Sequence, residues 1–199
     1  ETAGIKILST LDTLVQCNHI HHCYAGPAIW IDFKNRNTRV CRNLAHDISS
    51  YHGAVFLEAS DEPNMIDHNV VMFTHGSGLY QHDCDLVAIA HNLVVDCDVG
   101  IQMLKNKERD RVGICKNNRV INNVVVDCAV PLDYYDVENV SDHNLIAGTG
   151  DGYDLAEWQK KGLDAHSRVV SLDLEFDPET QILSWLSAAD EILQVERDE

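Results

Sequence analysis

His91-Asn92-Leu93-Val94-Val95-Asp96-Cys97 and Asn122-Asn123-Val124-Val125-Val126-Asp127-Cys128 are one phrase written twice: a polar residue, an asparagine, a short aliphatic run and a closing Asp-Cys. Looser copies are Cys17-Asn18-His19-Ile20-His21-His22-Cys23, Arg42-Asn43-Leu44-Ala45-His46-Asp47, His68-Asn69-Val70-Val71-Met72 and His143-Asn144-Leu145-Ile146-Ala147. The asparagines at 18, 43, 69, 92, 123 and 144 are spaced 25, 26, 23, 31 and 21 residues apart. A recurring interval of this size marks a solenoid. Each interval holds two or three short Val/Ile/Leu-rich runs and no i, i+3, i+4, i+7 pattern, so the coils are β.

The expected fold is therefore all-β, a right-handed parallel β-helix in which each strand pairs with its equivalent one coil on. An asparagine at a fixed turn tolerates left-handed backbone and bonds to its neighbours along the stack, so the Asn column reads as an interior ladder. Residues 1–150 read as coils. Residues 151–199 read as a capping segment of the same domain, with helical runs at 155–161 and 187–194. Lys105, Lys107, Arg109 and Arg111 form a solvated loop that lengthens one interval. No comparable cap precedes the first coil, so further amino-terminal coils or a partner segment would complete the stack, and a homo-oligomer is a second way to cover its end.

Lys and Arg total 15 against 32 Asp and Glu, a formal charge of −17. Nothing here would neutralise phosphates, which excludes nucleic acid and anionic membrane as partners. No run reaches the roughly 20 apolar residues of a membrane span, and Glu1-Thr2-Ala3-Gly4 does not begin a signal peptide. Seven cysteines without C-x-x-C pairing read as buried free thiols, which points to a reducing, cytoplasmic location, or an extracellular one for a processed fragment.

Gly26, Gly53, Gly78 and Gly100 each introduce a short strand. Alternation sends Ile29, Ile31, Val55 and Leu57 inward and Trp30, Asp32, Phe56 and Glu58 outward. Stacking then sets Trp30 over Phe56 and Asp32 over Glu58, on strands about 4.8 Å apart. A retaining glycosidase needs its two carboxyl groups at about 5–5.5 Å, and like charges so close favour one ionised and one protonated group. The aromatic pair would stack on a sugar ring; His82, Tyr80 and Gln102 on the following strands would add substrate contacts. Asp133, Tyr134, Tyr135 and Asp136 either extend the groove or cap the sheet edge.

His19, His21 and His22 alternate as imidazole ligands would, yet such histidines more often line a turn or a substrate rim, and His82-Asp83-Cys84-Asp85 lacks the spacing of a calcium loop. No metal and no cofactor is assigned.

The stretches Gly26-Pro27-Ala28-Ile29-Trp30-Ile31-Asp32, Asn37-Thr38-Arg39-Val40-Cys41-Arg42-Asn43-Leu44-Ala45-His46-Asp47, Val55-Phe56-Leu57-Glu58 and Asp67-His68-Asn69-Val70-Val71 resemble the β-xylosidases of glycoside hydrolase family 120. The resemblance is clearest over residues 26–71. Phe33 stands where that family has Trp, 59–63 differs, and 49–52 reads as an insertion. The resemblance implies a right-handed β-helix with Asp32 as nucleophile and Glu58 as acid/base. It further implies an exo-acting, retaining β-xylosidase on short xylo-oligosaccharides, a step in xylan degradation. Two other readings stand beside it. One is a lyase or epimerase on uronate polymers, disfavoured because no basic residue stacks in the groove; the other is a non-catalytic carbohydrate-binding β-helix.

Overall fold

The computed structural model describes residues 2–106, 113–135, 138–148 and 153–185. The expected helix at 187–194, Lys107, Arg109 and Arg111 of the charged loop, and Asp136 lie outside the described residues. After β1 (Ile5–Leu8), the first full coil lays down β2 (Leu14–Gln16), β3 (His19–Cys23) and β4 (Ile29–Asp32). The second repeats this with β5 (Thr38–Cys41), β6 (Leu44–Ser49) and β7 (Val55–Glu58). In the third, β8 (Asn64–Asp67) leads into one long strand, β9 (Val70–His82), that rounds a corner; β10 (Val87–Ala90) and β11 (Leu93–Leu104) copy it. Then come β12 (Arg119–Ile121), β13 (Val124–Val126) and β14 (Val130–Tyr134), followed by β15 (Val140–Asp142) and β16 (Leu145–Ala147).

All pairings between coils are parallel. One six-stranded sheet runs β2-β5-β8-β10-β12-β15, and the other two faces merge into an eleven-stranded sheet through β9 and β11. The chain is a parallel β-helix of about six turns. Its interior is filled by the inward residues of each strand, for example Ile31, Leu57, Val71, Ile89, Val125 and Ile146, each at most 1% exposed. Burying such a side chain stabilises the fold by about 1.5–3 kcal/mol.

The asparagine column is a continuous hydrogen-bond ladder. Asn43, Asn69, Asn92 and Asn123 each donate through backbone N and side-chain Nδ2 to the Oδ1 of the next asparagine, at 2.9–3.1 Å. The second Nδ2 proton goes to a carbonyl one coil back, as from Asn69 to Val40. All four side-chain bonding positions of a middle asparagine are thus filled. The left-handed residue is not the asparagine but the one before it: Arg42, His68, His91, Asn122 and His143 have φ of 54–57°. That step turns the chain so that the next side chain points into the coil. A second, shorter amide ladder, Asn118 to Asn139, runs along another corner and was not legible in the repeat phrase.

Past the coils, α1 (Leu155–Lys160) starts on an Asp154 cap and packs Trp158 edge-on against Tyr134, within the expected helical run. Next, β17 (Arg168–Val169) extends the large sheet. An antiparallel hairpin, β18 (Leu174–Asp177) with β19 (Ile182–Trp185), folds back along the flank of the stack, setting Phe176 and Leu183 against the cluster of Met72, Val95 and Val126.

Replacing Asn69 with Ala removes two donors and strands the Asn43 amide inside the coil. Denaturant unfolding should show a loss of about 3 kcal/mol, against about 1 kcal/mol or less for Asn18→Ala at the partly exposed end of the ladder. Equal losses would contradict the ladder's role.

Candidate functional site

The outward column on the first face reads Lys6, Trp30, Phe56, Tyr80, Gln102, Asp133 in unbroken register. Two positions along, Leu8 pairs with Asp32 and Glu58 with His82. Between β4 and β7 the last paired residues are Ile31 and Leu57, and Asp32 and Glu58 are the next residue on each strand.

The aromatic residues face outward but are not a sugar platform. Trp30 and Phe56 are 2% and 0% exposed. The turn at 50–53 folds back over them: the His52 ring lies parallel on Phe56 at 4.8 Å, and Lys6 Nζ sits 3.4 Å above Trp30. Gly53 holds that turn at φ 76°, where a Cβ would collide with the Ser77 carbonyl. Gln102 accepts from Ser77 and donates to Asp133, so its amide is already used. The lysines also correct the expectation of a groove without stacked basic residues, since Lys6 belongs to the column and Lys105 borders the cavity.

A cavity of about 310 Å³ opens beside this column, lined by Tyr51, His52, Glu58, Tyr80, His82 and Lys105 among others. On its wall His82 Nε2 stands 3.6 Å from Glu58 Oε1, while His82 Nδ1 bonds Asp83 Oδ2 at 3.1 Å. Asp83 is fully buried and is held in turn by the Asn106 amide and by Lys105 at 3.6 Å. An acceptor on Nδ1 fixes the imidazole proton there and leaves Nε2 facing Glu58, the orienting logic of a catalytic triad. Burial pushes the Tyr80 phenol up to about 12, so it stays a neutral hydroxyl. Asp32 lies outside this lining and pairs with Lys6 at 3.0 Å, both side chains partly exposed. Of the expected residues, Glu58, Tyr80 and His82 meet at the cavity, Asp32 is one strand away, Trp30 and Phe56 are packed out of solvent, and Gln102 is hydrogen-bonded to Ser77 and Asp133. Sequence reasoning weighed Asp83 only as a calcium ligand and missed its bond to His82, which forms because the left-handed corner at φ 53° turns its carboxylate back onto the ring.

A second cluster occupies the outer face of β3 and β6. His19, His21, His22 and His46 have ring centroids 4.7–6.4 Å apart. His19 and His46 meet Nε2 to Nε2 at 2.8 Å, and His21 and His22 meet Nδ1 to Nδ1 at 2.5 Å. Desolvation, then the His46 and His21 rings, hold His19 below its usual value, so it is neutral above mildly acidic pH. A third group, Asp142, His143 and His166, brings three donor atoms within 4.8 Å of one another. Its carboxylate is already bonded by the His143 and His166 amides and by His166 Nδ1.

The periplasmic copper-binding protein family (NosD) matches residues 1–153, three quarters of the chain and every full coil. The chain belongs to the NosD family. No curated protein and no solved structure matches it. Membership in NosD replaces the resemblance to glycoside hydrolase family 120: only the β-helix architecture is shared. NosD is described as periplasmic, which also overturns the cytoplasmic expectation. That expectation rested on unpaired thiols, and Cys41, Cys84, Cys97, Cys115 and Cys128 are buried in the stack, where packing rather than compartment accounts for them. Among the described residues no helix is long and apolar enough to cross a membrane.

Because Phe56 is sealed beneath His52, Phe56→Ala should cost about 3–5 kcal/mol in a thermal or denaturant melt. An exposed platform residue would cost under about 1 kcal/mol.

Proposed function

We propose that this NosD-family chain hydrolyses a glycosidic bond in a neutral oligosaccharide, with Asp32 as nucleophile and Glu58 as acid/base. The observation that carries the proposal is the Glu58-His82-Asp83 chain on the wall of a cavity, one strand from Asp32. Adjacent strands are about 4.8 Å apart, close to the retaining separation of about 5–5.5 Å. Asp32 attacks the anomeric carbon as Glu58 gives its proton to the leaving oxygen; Glu58 then takes a proton from the water that frees the sugar. His82, fixed by Asp83, holds Glu58 in place. The sugar displaces Lys6 from the exposed side of Asp32, which opens the nucleophile only when substrate is present.

Turnover of aryl glycosides, a β-xyloside first, tests this. Asp32→Asn and Glu58→Gln should each lower the rate by about 1,000-fold with the circular dichroism spectrum unchanged. Full activity in either variant defeats the assignment. Ultraviolet-absorbing unsaturated products from a uronate polymer would instead make the site a lyase, with Lys105 facing the uronate. Sugar binding without any hydrolysis would leave a carbohydrate-binding β-helix.

Copper binding, named in the family's description, is a second reading, and the four clustered imidazoles favour it because imidazole nitrogens suit copper. Dialysis of the full chain against Cu(II) that leaves no bound copper would remove it.

A further inference from the structure

Where the asparagine ladder ends, a serine takes the next place. The Asn144 amide donates to Ser167 Oγ at 2.8 Å, and Arg168 N donates to the Asn144 carbonyl, so residues 164–170 lie on the last coil as a closing rung. His166 precedes Ser167 as His143 precedes Asn144, and the two rings stack 4.8 Å apart and 7° from parallel. Asp142 faces both. Its Oδ1 accepts from the backbone amides of His143 and His166 at 2.9 and 2.7 Å. Its Oδ2 lies 2.7 Å from His166 Nδ1 and 3.7 Å from His143 Nε2.

An earlier stretch of the same corner shows what this one lacks. There Asp67 bonds His68 Nδ1 at 2.7 Å, and His91 lies 5.0 Å from the His68 ring. Both Asp67 oxygens also accept from the Arg39 guanidinium, at 2.8 and 2.6 Å, so a cation already neutralises that carboxylate. Among the described residues Asp142 pairs with no lysine or arginine, only with the two imidazoles. A metal ion fits the vacant role, because three donor atoms of two imidazoles and a carboxylate lie within 4.8 Å of one another. Four-coordinate zinc, with bonds of about 2.0–2.1 Å, spaces its ligand atoms about 3.3–3.4 Å apart. The distances of 2.7 and 3.7 Å bracket that spacing. Both histidine side chains are more than half exposed, so the rings can turn to converge without disturbing the core. Zinc has no d-electron preference for a plane and accepts three protein ligands with a water in the fourth place, whereas imidazole nitrogens are poor partners for calcium or magnesium. The ligand is neutral imidazole, so the His166 proton moves from Nδ1 to Nε2 as the ion binds. The two backbone amides on Oδ1 act as the outer partners that orient the ligating carboxylate.

We infer that Zn(II) binds Asp142 Oδ2, His143 Nε2 and His166 Nδ1, and that the ion staples the closing rung to the last full coil. The site uses none of the residues of the glycosidic or copper readings and stands without them. Asp142 and His166 are 24 residues apart in the chain, one at the end of β15 and the other just before β17. The end of a solenoid is where turns open most easily, and a cross-link between its last two levels acts at that point.

Zinc chloride titrated into the metal-free full chain by calorimetry, with Co(II) absorption as the reporter of coordination geometry, tests the site. Wild type should bind one ion and show the visible bands of four-coordinate cobalt. His143→Ala and His166→Ala should each weaken binding by about 100-fold or more, since even outer partners of a metal are worth about 10- to 100-fold. Asp142→Asn, which keeps an acceptor for the two amides, should weaken it by about 10-fold or more. His68→Ala at the arginine-neutralised corner and His19→Ala in the other histidine cluster should bind as wild type. His143 and His166 are exposed, so their alanine variants should fold, which circular dichroism checks. Zinc should raise the melting temperature of wild type and leave that of His166→Ala unchanged. Wild type that binds no zinc, wild-type affinity in His166→Ala, or loss of the ion in His68→Ala or His19→Ala overturns the site. Zinc bound without any rise in melting temperature removes the staple.

Discussion

Vertical amide-to-amide bonding is the constraint from which the rest follows. Each interior asparagine accepts two hydrogen bonds from the coil before it and gives two to the coil after, so successive turns cannot slip by a residue without breaking several bonds at once. A one-residue slip would also turn every inward side chain outward. The ladder therefore holds Trp30, Phe56 and Tyr80 in one column and stops Glu58 and His82 from drifting apart. It also explains how intervals between 21 and 31 residues coexist in one stack: insertions leave at the corners, and the ladder height is kept.

Both candidate sites use the same device. A corner residue in left-handed geometry carries a carboxylate that bends back onto the imidazole beside it: Asp83 onto His82, and Asp47 onto His46. On one flank the oriented imidazole faces a glutamate at the edge of a cavity. On the other it faces a second imidazole. The coil scaffold thus repeats an oriented histidine, and the partner on the next strand decides what chemistry is offered.

Much of this was readable before any coordinates. The Asn phrase gave the solenoid, and strand alternation gave the Trp30–Phe56 register, because both depend on periods of one coil and two residues. Exposure was not readable. Whether an outward aromatic meets water depends on the turn at 50–53, and nothing in that short segment announces that His52 will lie on Phe56. Likewise Gln181 meets His19 only because the hairpin folds back across the stack, a contact with no periodicity behind it. The resemblance to glycoside hydrolase family 120 extended only to architecture, since the NosD family is also a β-helix family.

The corners carry a further consequence. Phe33, Ala59 and Asp83 at one corner, and His22, Asp47, Phe73, Asp96 and Asp127 at another, all sit at positive φ without being glycine. Each costs about 1 kcal/mol or more against ordinary backbone. A single turn cut free would spring open, because its own bonds do not compensate those corners. Folding then resembles crystal growth: a nucleus of two or three turns must form first, and every later turn closes only on the template left by its predecessor.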